Sequence, residues 1–509
     1  MTECKKKLYP ECDGKIWLRT CEEEIEKPIS GRVTGEIPLW LRGTLLRNGP
    51  GSEKVGSMHF EHLFDFSALL HRFAIQDGQV TYQCRFLRTN AFKGNKAANR
   101  IVFTEFATKA VPDPCQTIFS RVASLFNPGE SFSDNAMISV YPFGDEIYAF
   151  TEVPVIHRVD QTTLDTTERK NLYNSIAIVN HTSHPHVMPN GDVYNLGMAV
   201  PKGRLRHVLV KFPFDKEGDM FAKAEVVGSF ASRWWLHPSY MHSFGITENY
   251  FVIVEQPMTI SLNKMVINQL TNQPMVSSLQ WFGDCETHIV LISRNTGEEV
   301  KRFRTENLFY LHVINSFEHN GKLTIDICAY KDAKALEGMY VDALKSMQYN
   351  ADYADWFRGR PKRLEMDLSS PNLTQIEPKL LADIGCETPR INYELHNGKF
   401  YRYFYAISSE VDHEHPGSLV KVDTKTGESK IWWEEGCYSS EPIFVPRPNA
   451  EDEDDGVLVS ALVFSKDERQ VALLVLDAKN MTEIARATFI TPSPAPKCLH
   501  GWFLPDKLK

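Results

Sequence analysis

The stretch HPHVMPNGDVYNLG, residues 184–197, places an Asn-Gly turn directly before an alternating run of β-forming residues. An Asn-Gly or Asp-Gly pair in such a setting is a strong signal for a tight β-hairpin. The same arrangement recurs at six other turn residues along the chain, which are Gly78, Gly144, Asn249, Gly321, Gly398 and Gly456. Their intervals vary between 47 and 77 residues. The pattern predicts seven units of one kind, joined by loops of unequal length.

A second pattern, in which two strands flank a polar turn, accompanies four of these units. It occurs in HRVDQTTLDTTER, IVLISRNTGEEVKRF, LVKVDTKTGESKIW and LLVLDAKNMTEIARATF, which begin at residues 157, 289, 419 and 473. Each such segment would supply the outer hairpin of a four-stranded sheet. Seven sheets predict an all-β fold, a seven-bladed β-propeller with a few helices and with long loops that cap one face. A large β-sandwich or two unrelated β domains are the alternatives.

We expect one domain over residues 1–509, in which residues 1–14 form a flexible N-terminal tail. Two segments show helical periodicity. The first, CQTIFSRVASLF from Cys115, lies within a predicted membrane-facing helix at about residues 112–127, and the second, YVDALKSMQYNADYADWF, begins at Tyr340. In the first segment the apolar residues on one face are Ile118, Phe119, Val122, Leu125 and Phe126. The acidic run EDEDDG, residues 451–456, is expected to be a solvated loop.

The composition argues against several classes of protein. Lys and Arg number 56 and Asp and Glu number 65, so the net charge is −9, which excludes a generally basic surface for nucleic acid. The ten cysteines form no CxxC pair, and the N-terminal MTECKKKLYP lacks the apolar centre of a signal peptide. The chain has no apolar run long enough to span a membrane. These features predict reduced thiols and a cytoplasmic protein.

Three histidines occupy equivalent positions ahead of three of the turns. His184 and His242 each lie seven residues before the turn residue of their unit, and His312 lies nine residues before its own. Corresponding positions in successive blades are related by rotation about the propeller axis, so these side chains should converge there. His500 lies near the C-terminus, where the closing strand would return to the same axis. The spacing therefore predicts four imidazoles at one centre.

Four imidazoles suit a metal ion, although imidazole binds Fe, Cu, Zn and Ni alike. A closed tetrahedral zinc site is rarely built from four separated histidines. Four ligands leave two positions of an octahedral metal for oxygen and substrate, so redox-active iron is the favoured interpretation. Within HTSHPH, His181 and His186 compete with His184, and only the matching offset favours His184.

Acidic residues within apolar strands are candidate partners for these imidazoles. A metal-bound histidine usually donates its second N–H to a carboxylate or a carbonyl, which fixes the tautomer and the direction of the ring. Glu152, Glu387 and Glu441 are the candidates, and membership in a structural ion pair is the alternative for each. The fourth histidine would then be held by water or backbone.

The chain resembles the carotenoid cleavage oxygenases, most closely the animal members of that family. The motifs that carry the resemblance extend from about residue 15 to the end, and include GTLLRNGPG at Gly43, HLFDFSALLHRF at His62, TEF at Thr104, PDPC at Pro112, HPH at His184, HSFGIT at His242, HVIN at His312, SEPIFV at Ser440 and LHG at Leu499. One departure is Phe66, where relatives often carry glycine. It affects none of the candidate metal ligands.

The resemblance implies Fe(II) on the axis of a seven-bladed propeller, bound by His184, His242, His312 and His500. It implies that Glu152, Glu387 and Glu441 support these ligands, and that Thr151 and Phe106 line the substrate tunnel. The implied reaction is cleavage of the central 15,15′ double bond of a carotenoid by O2, coupled to trans-to-cis isomerisation, which supplies a visual chromophore. The alternatives are symmetric cleavage without isomerisation, retinyl-ester isomerohydrolysis, and a non-catalytic propeller that binds partners.

Because carotenoids are insoluble, the substrate is expected to arrive from a bilayer. The amphipathic segment from Cys115 and the pair Trp234 and Trp235 are the predicted membrane contacts. The expected location is the cytoplasm, at the surface of intracellular membranes. The expected partners are a carotenoid, O2 and a membrane, without nucleic acid, and a homodimer is one candidate assembly.

Overall fold

The strands of this protein are apolar on both faces, because each sheet packs between two neighbouring sheets. In the strand Lys322–Tyr330, Leu323 and Ile325 pack with residues of the sheet before it, including Val252. Cys328 of the same strand packs with Phe404, in the sheet that follows. The computed structural model describes residues 6–111, 133–216, 218–370 and 374–506.

Seven antiparallel sheets, here called blades 1 to 7, are arranged as the sequence predicts. From the inside outwards, blade 1 contains Gly501–Pro505, Gly43–Ser52, Ser67–Gln76, Gln79–Phe86 and Ile25–Ser30. Blade 2 contains Ser139–Phe143, Glu146–Phe150, Val155–Val159 and Thr166–Asn171. Blade 3 contains Ile178–His181 with His186–Val187, then Val193–Ala199, Arg206–Phe212 and Glu225–Ala231. Blade 4 contains Gly245–Ile246, Tyr250–Glu255, Thr287–Ser293 and Glu299–Thr305.

The remaining blades follow in chain order. Blade 5 contains Phe309–His319, Lys322–Tyr330, Arg360–Asp367 and Lys379–Leu380. Blade 6 contains Glu387–Arg390, Tyr403–Ile407, Leu419–Asp423 and Ser429–Trp432. Blade 7 contains Cys437–Ser439 with Ile443–Pro446, then Gly456–Phe464, Gln470–Asp477, Thr482–Ile490 and Arg32–Gly35. Two small sheets pair Lys54–Val55 with Met58–His59, and Met258–Ile260 with Leu279–Trp281.

The seven predicted turns lie one in each blade, but they are not all equivalent. The turns at Gly144, Gly191, Asn249, Gly321, Gly398 and Gly456 connect the innermost strand to the second. The turn at Gly78 instead connects the third and fourth strands of blade 1. The difference arises because the innermost strand of blade 1 comes from the C-terminus. No turn therefore connects this strand to the second strand of the blade. All four predicted outer hairpins are confirmed.

The described helices are short and lie in the connections between strands. The α-helices are Asn90–Ala98, Leu172–Ile176, Leu262–Thr271, Lys334–Glu337, Val341–Ser346, Tyr353–Trp356 and Tyr393–His396. The 3-10 helices are Gly14–Trp17, Leu63–Asp65, Pro201–Gly203, Met275–Ser278 and Met347–Tyr349. Within the described ranges, no helix is long and apolar enough to cross a bilayer. The predicted helix at about residues 112–127 lies outside the described residues.

Two expectations about local structure need correction. The helix predicted from Tyr340 is broken after Tyr349, because the Tyr9 hydroxyl donates to the carbonyls of Asn350 and Ala351. The same contacts bury Tyr9, and hydrogen bonds join Leu8, Tyr9 and Cys12 to Gln348, so residues 8–14 are packed against the rest of the protein, which differs from the predicted flexible tail.

The acidic run is a loop as predicted, but part of it is structural. Asp454 is buried in an ion pair with Lys421. The Glu453 carboxylate accepts from the backbone N–H groups of Arg402 and Tyr403. The eight cysteines of the described ranges are all free.

Ring closure depends on close backbone packing at Gly49. The Asn48 N–H donates to the His500 carbonyl and the Leu499 N–H donates to the Asn48 carbonyl, both over 2.8 Å. A Cβ atom at Gly49 would lie 2.7 Å from the Cα of Cys498. The segment that carries His500 therefore fits only against a residue without a side chain.

We expect Gly49→Ala to loosen the closing strand, because the added methyl displaces the backbone at Cys498. Overpacking of this kind costs about 1–3 kcal/mol of the free energy of unfolding. Amide hydrogen exchange over residues 499–505 should become faster. Gly321→Ala is the control, since Gly321 has φ +75° and no atom near its added Cβ, so it strains only its own turn. Equal exchange over residues 499–505 in both variants would contradict this role.

Candidate metal centre

The four predicted histidines converge on the axis of the propeller. One ring nitrogen of each of His184, His242, His312 and His500 lies within 4.8 Å of the others. These residues lie in or directly beside the innermost strands of blades 3, 4, 5 and 1 respectively. The equivalence of their positions in the sequence therefore reflects rotation about one axis.

The nitrogens that converge are the Nε2 atoms. His184 Nε2 lies 3.1 Å from His242 Nε2, and His312 Nε2 lies 3.2 Å from His500 Nε2. Burial lowers the pKa of His184 well below its usual value and that of His500 to about 4. Neutral imidazole is the form that binds metals. The donor set therefore fits a divalent cation.

Three carboxylates hold three of the four rings. His242 Nδ1 lies 2.6 Å from Glu152 Oε1, and His500 Nδ1 lies 2.8 Å from Glu441 Oε1. His312 Nδ1 makes the corresponding contact with Glu387. Since an ionised carboxylate only accepts, each Nδ1 carries the proton. Each Nε2 then presents its lone pair to the centre, as a metal ligand must.

His184 has a different partner from the water or backbone group that the sequence suggested. The hydroxyl of Tyr141, on the innermost strand of blade 2, lies 3.2 Å from His184 Nδ1. No carboxylate in the described part of the chain pairs with His184. His181 and His186 lie outside the group. His186 Nε2 contacts the Phe244 carbonyl instead, at 2.9 Å.

Tyrosines give two of the carboxylates a second hydrogen bond. The Tyr240 hydroxyl donates to Glu152 over 2.8 Å, and the Tyr330 hydroxyl donates to Glu387 over 2.9 Å. Burial opposes the ionisation of Glu387, but His312 outweighs it and lowers the pKa of this carboxyl. These tyrosines were not predicted. Tyr240 could have been found from its position two residues before His242.

Glu441 is held by two buried arginines, which sequence reasoning also missed. Arg390 donates to both of its oxygens, over 2.8 and 3.2 Å, and Arg47 donates over 3.3 Å. The Gly501 N–H donates over 2.9 Å. Burial opposes the ionisation of Glu441, but Arg390, His500 and Arg47 outweigh it and lower its pKa. Arg47 lies within GTLLRNGPG and Arg390 lies within CETPRINY. Both segments could be recognised in the sequence, but the roles of the two arginines could not.

A largely apolar cavity of about 200 Å³ reaches three of the imidazoles, those of His242, His312 and His500. Its apolar lining includes Ile16, Trp17, Leu63, Phe64, Ile138, Leu311, Met339, Leu344, Met347, Phe357 and Leu499. Segments from the N-terminus and from the long connection inside blade 5 form much of this wall. A second cavity, of about 70 Å³, contacts His184, Tyr141, Arg390 and Glu441. The four histidines therefore border two cavities, of which the second has the larger share of polar lining.

The other predicted site residues do not lie together: some lie near the cavity or the centre, and others lie at the surface. Thr151 directly precedes Glu152, and Phe106 packs edge-on against Phe64, which lines the cavity. Trp235 is 73% exposed, whereas Trp234 is half-buried against Phe282. The predicted membrane residues Ile118, Phe119, Val122, Leu125 and Phe126 lie outside the described residues.

Comparison with known proteins agrees with this geometry. The family model described as "Retinal pigment epithelial membrane protein" matches residues 18–505. The chain belongs to this family. It is 68% identical to the carotenoid isomerooxygenase of Galleria mellonella, over 99% of both chains. It is 44% identical to that of Drosophila melanogaster, over 99% of this chain and 94% of the relative.

More distant relatives and solved structures extend the comparison. The β,β-carotene 15,15′-dioxygenase of Mus musculus is 38% identical, over 96% of this chain and 91% of the relative. The structure of cobalt-substituted Synechocystis apocarotenoid oxygenase matches with a TM-score of 0.77 at 23% identity. That match covers 97% of this chain and 98% of the other. It confirms the seven-bladed fold.

Substitution of the carboxylates should separate metal binding from stability. We expect both Glu152→Gln and Glu441→Gln to lower the affinity for a divalent metal by about 10–100-fold, because each leaves its histidine less firmly oriented. Glu441→Gln should also lose about 3–5 kcal/mol of the free energy of unfolding, since Arg47 and Arg390 remain buried without an anion. Chelator competition and denaturant unfolding measure the two effects. Equal losses of stability in the two variants would contradict this assignment.

Proposed function

We propose that this chain is an iron-dependent oxygenase that cleaves the central double bond of a carotenoid and isomerises one half of the product. The reaction breaks one C=C bond and the O–O bond of dioxygen, and places one oxygen atom in each of two retinoid aldehydes. The observation that carries the proposal is that three imidazoles of the four-histidine group, those of His242, His312 and His500, face the apolar cavity. The 68% identity to an insect carotenoid isomerooxygenase supports it.

The cavity suits a polyene because such a substrate offers almost no polar group to bind. Apolar burial must then supply the binding free energy, at roughly 25 cal/mol per Å² of apolar surface removed from water. Leu311 and Leu499 each lie one residue from a histidine of the centre and line the cavity. They place apolar surface beside the position where the reacting carbons must lie, and they keep water away from it.

His184, His242, His312 and His500 would hold the iron through Nε2. Iron(II), when bound, supplies the one-electron chemistry through which dioxygen reacts with an alkene. The protein's own part is to keep the imidazoles neutral and oriented. Three carboxylates and two guanidinium groups around them leave one negative charge, which favours a bound dication.

The names of the relatives distinguish between the alternative functions. The two insect relatives are named isomerooxygenases, and the mouse relative is named a 15,15′-dioxygenase. These names favour oxidative cleavage, and the insect names favour coupled isomerisation. Retinyl-ester isomerohydrolysis would use water and leave no oxygen from O2 in the product. A non-catalytic propeller would carry no stoichiometric iron.

Incubation of the iron-loaded protein with a carotenoid under isotopically labelled dioxygen tests the reaction directly. We expect label in both aldehydes, and chromatography should resolve one 11-cis from one all-trans product. Products without label would contradict oxidative cleavage. Release of an unlabelled alcohol when a retinyl ester replaces the carotenoid would also contradict it. Two all-trans aldehydes would retain cleavage and contradict isomerisation.

Removal of one imidazole should abolish metal binding. We expect His242→Ala to contain no stoichiometric iron and to have no cleavage activity, because only three imidazoles would remain to bind the metal. His186→Gln is the matched control, since His186 is adjacent in sequence to the group but contacts Phe244 and Asn397 instead. Metal analysis of the purified proteins measures the difference. Stoichiometric iron in His242→Ala would contradict the ligand assignment.

We also propose that the protein takes its substrate from a membrane surface. Trp235 is 73% exposed, and Val266 and Ile267 on the helix Leu262–Thr271 are 48% and 57% exposed. The Leu262 N–H donates to the Leu236 carbonyl, so these exposed apolar residues belong to neighbouring segments. Val276, just after that helix, donates to the Phe106 carbonyl, in the chain segment that precedes residues 112–127.

Charge introduced at this patch should weaken membrane binding. We expect Trp235→Asp combined with Ile267→Asp to reduce the fraction of protein that floats with liposomes, because carboxylates resist insertion into an apolar layer. Ile490→Asp is the control, as Ile490 is 56% exposed on the outer part of blade 7. Equal flotation of the two proteins would count against this surface.

A further inference from the structure

The apolar cavity contains a lysine that the proposed oxygenase chemistry does not use. Lys497 lines the same cavity as His242, His312 and His500, and its exposed fraction is only 3%. It stands three residues before His500 in the segment that closes the ring. An extended chain of three residues spans about 10 Å. Because Lys497 lines the cavity close to His500, its amine is within reach of a molecule bound there.

The amine of Lys497 has no polar partner in the described part of the chain. Its Nζ lies 4.5 Å from the centre of the Trp17 ring, and it forms no ion pair or hydrogen bond with a described residue. Lys421, another buried lysine, is satisfied in the usual way, through an ion pair with Asp454 and a hydrogen bond to the Lys479 carbonyl. A buried lysine is costly unless paired, so an unpaired one that faces a cavity points to a ligand.

The surroundings of Lys497 keep its amine reactive. Burial lowers its pKa to about 8, against the opposing effect of Cys498, and Arg47 adds to the decrease. A larger share of the amine is then neutral near pH 7 than for an exposed lysine, and the neutral amine is the nucleophile. The Trp17 ring face also attracts a cation, so both protonation states can be accommodated.

We propose that Lys497 captures a retinoid aldehyde as a Schiff base in the cavity where that aldehyde is formed. This inference rests on the proposed function, since it needs a carbonyl product. The amine nitrogen adds to the aldehyde carbon, and the resulting carbinolamine loses water to give a C=N bond. Hydrolysis reverses these steps and releases the aldehyde. No oxidant or reductant is required.

Reversible capture would hold one of the two products after cleavage. A neutral imine introduces no charge into the apolar cavity, and a protonated imine would retain the contact with Trp17. The isomer made at the centre would then stay enclosed, away from water and from other amines, until hydrolysis releases it. The chain thereby gains a product-binding site within its substrate cavity.

Reductive trapping tests this site without relying on cleavage activity. The full-length, iron-loaded protein is incubated with about one equivalent of all-trans-retinal and cyanoborohydride, which reduces an imine to a stable amine. Peptide mass spectrometry then locates the added retinyl group. We expect labelling of Lys497 to exceed that of Lys466, whose side chain is 78% exposed, by about tenfold, because of its larger neutral fraction and its position in the cavity.

Two controls show that the folded cavity is responsible. The same reaction on the urea-unfolded protein should label Lys497 no more than Lys466. Lys497→Arg, which keeps the charge but cannot form the imine under these conditions, should lose the main labelled peptide and should bind retinal without the spectral shift of an imine. Equal labelling of Lys497 and Lys466 in the folded wild-type protein would overturn the proposal, whatever the variant does.

This result is independent of the oxygenase assignment. Retinal is added rather than produced, so failure to trap Lys497 contradicts the capture site alone. Failure to incorporate labelled oxygen from O2 contradicts the proposed reaction, even if Lys497 is trapped.

Discussion

The structure depends on the hydrogen bonds that join three carboxylates to three imidazoles at the propeller axis. Each bond fixes which ring nitrogen carries the proton, and so fixes which nitrogen faces the centre. Glu441 has the largest part in this arrangement, because it links His500 of blade 1 to Arg390 of blade 6 and to Arg47. Ring closure and the candidate metal centre are therefore held by the same contacts.

The four candidate ligands and the three carboxylates that contact them are distributed one to a blade. Blades 1, 3, 4 and 5 supply the histidines, while blades 2, 6 and 7 supply Glu152, Glu387 and Glu441. Closure of the ring brings side chains as far apart in the sequence as Glu152 and His500 to the same axis, where each hydrogen-bonds to a residue of another blade. It also leaves two cavities at the axis, a largely apolar one and a smaller one beside His184 and Tyr141 with a larger share of polar lining. Such an arrangement suits a reaction in which an apolar substrate must meet a polar centre.

Much of the fold could be predicted, because hairpin turns and strand patterns are local signals. The offset of His184, His242 and His312 from their turns could be measured in the sequence, and symmetry then predicted convergence. Gly78 was assigned to an equivalent position and lies elsewhere, because the innermost strand of blade 1 comes from the C-terminus. The roles of Arg47 and Arg390 could not be predicted, since each depends on contact with a residue in another blade. Lys497 was likewise invisible until Trp17 and the cavity were placed around it.

X-ray absorption spectroscopy at the iron edge of the purified, iron-loaded protein tests the central claim most directly. We expect one iron per chain and a first coordination shell that contains four imidazole nitrogens, recognised by the multiple scattering of the rings. A shell with sulfur ligands, or with two or fewer imidazoles, would contradict the assignment of His184, His242, His312 and His500 as the ligands of a single metal ion.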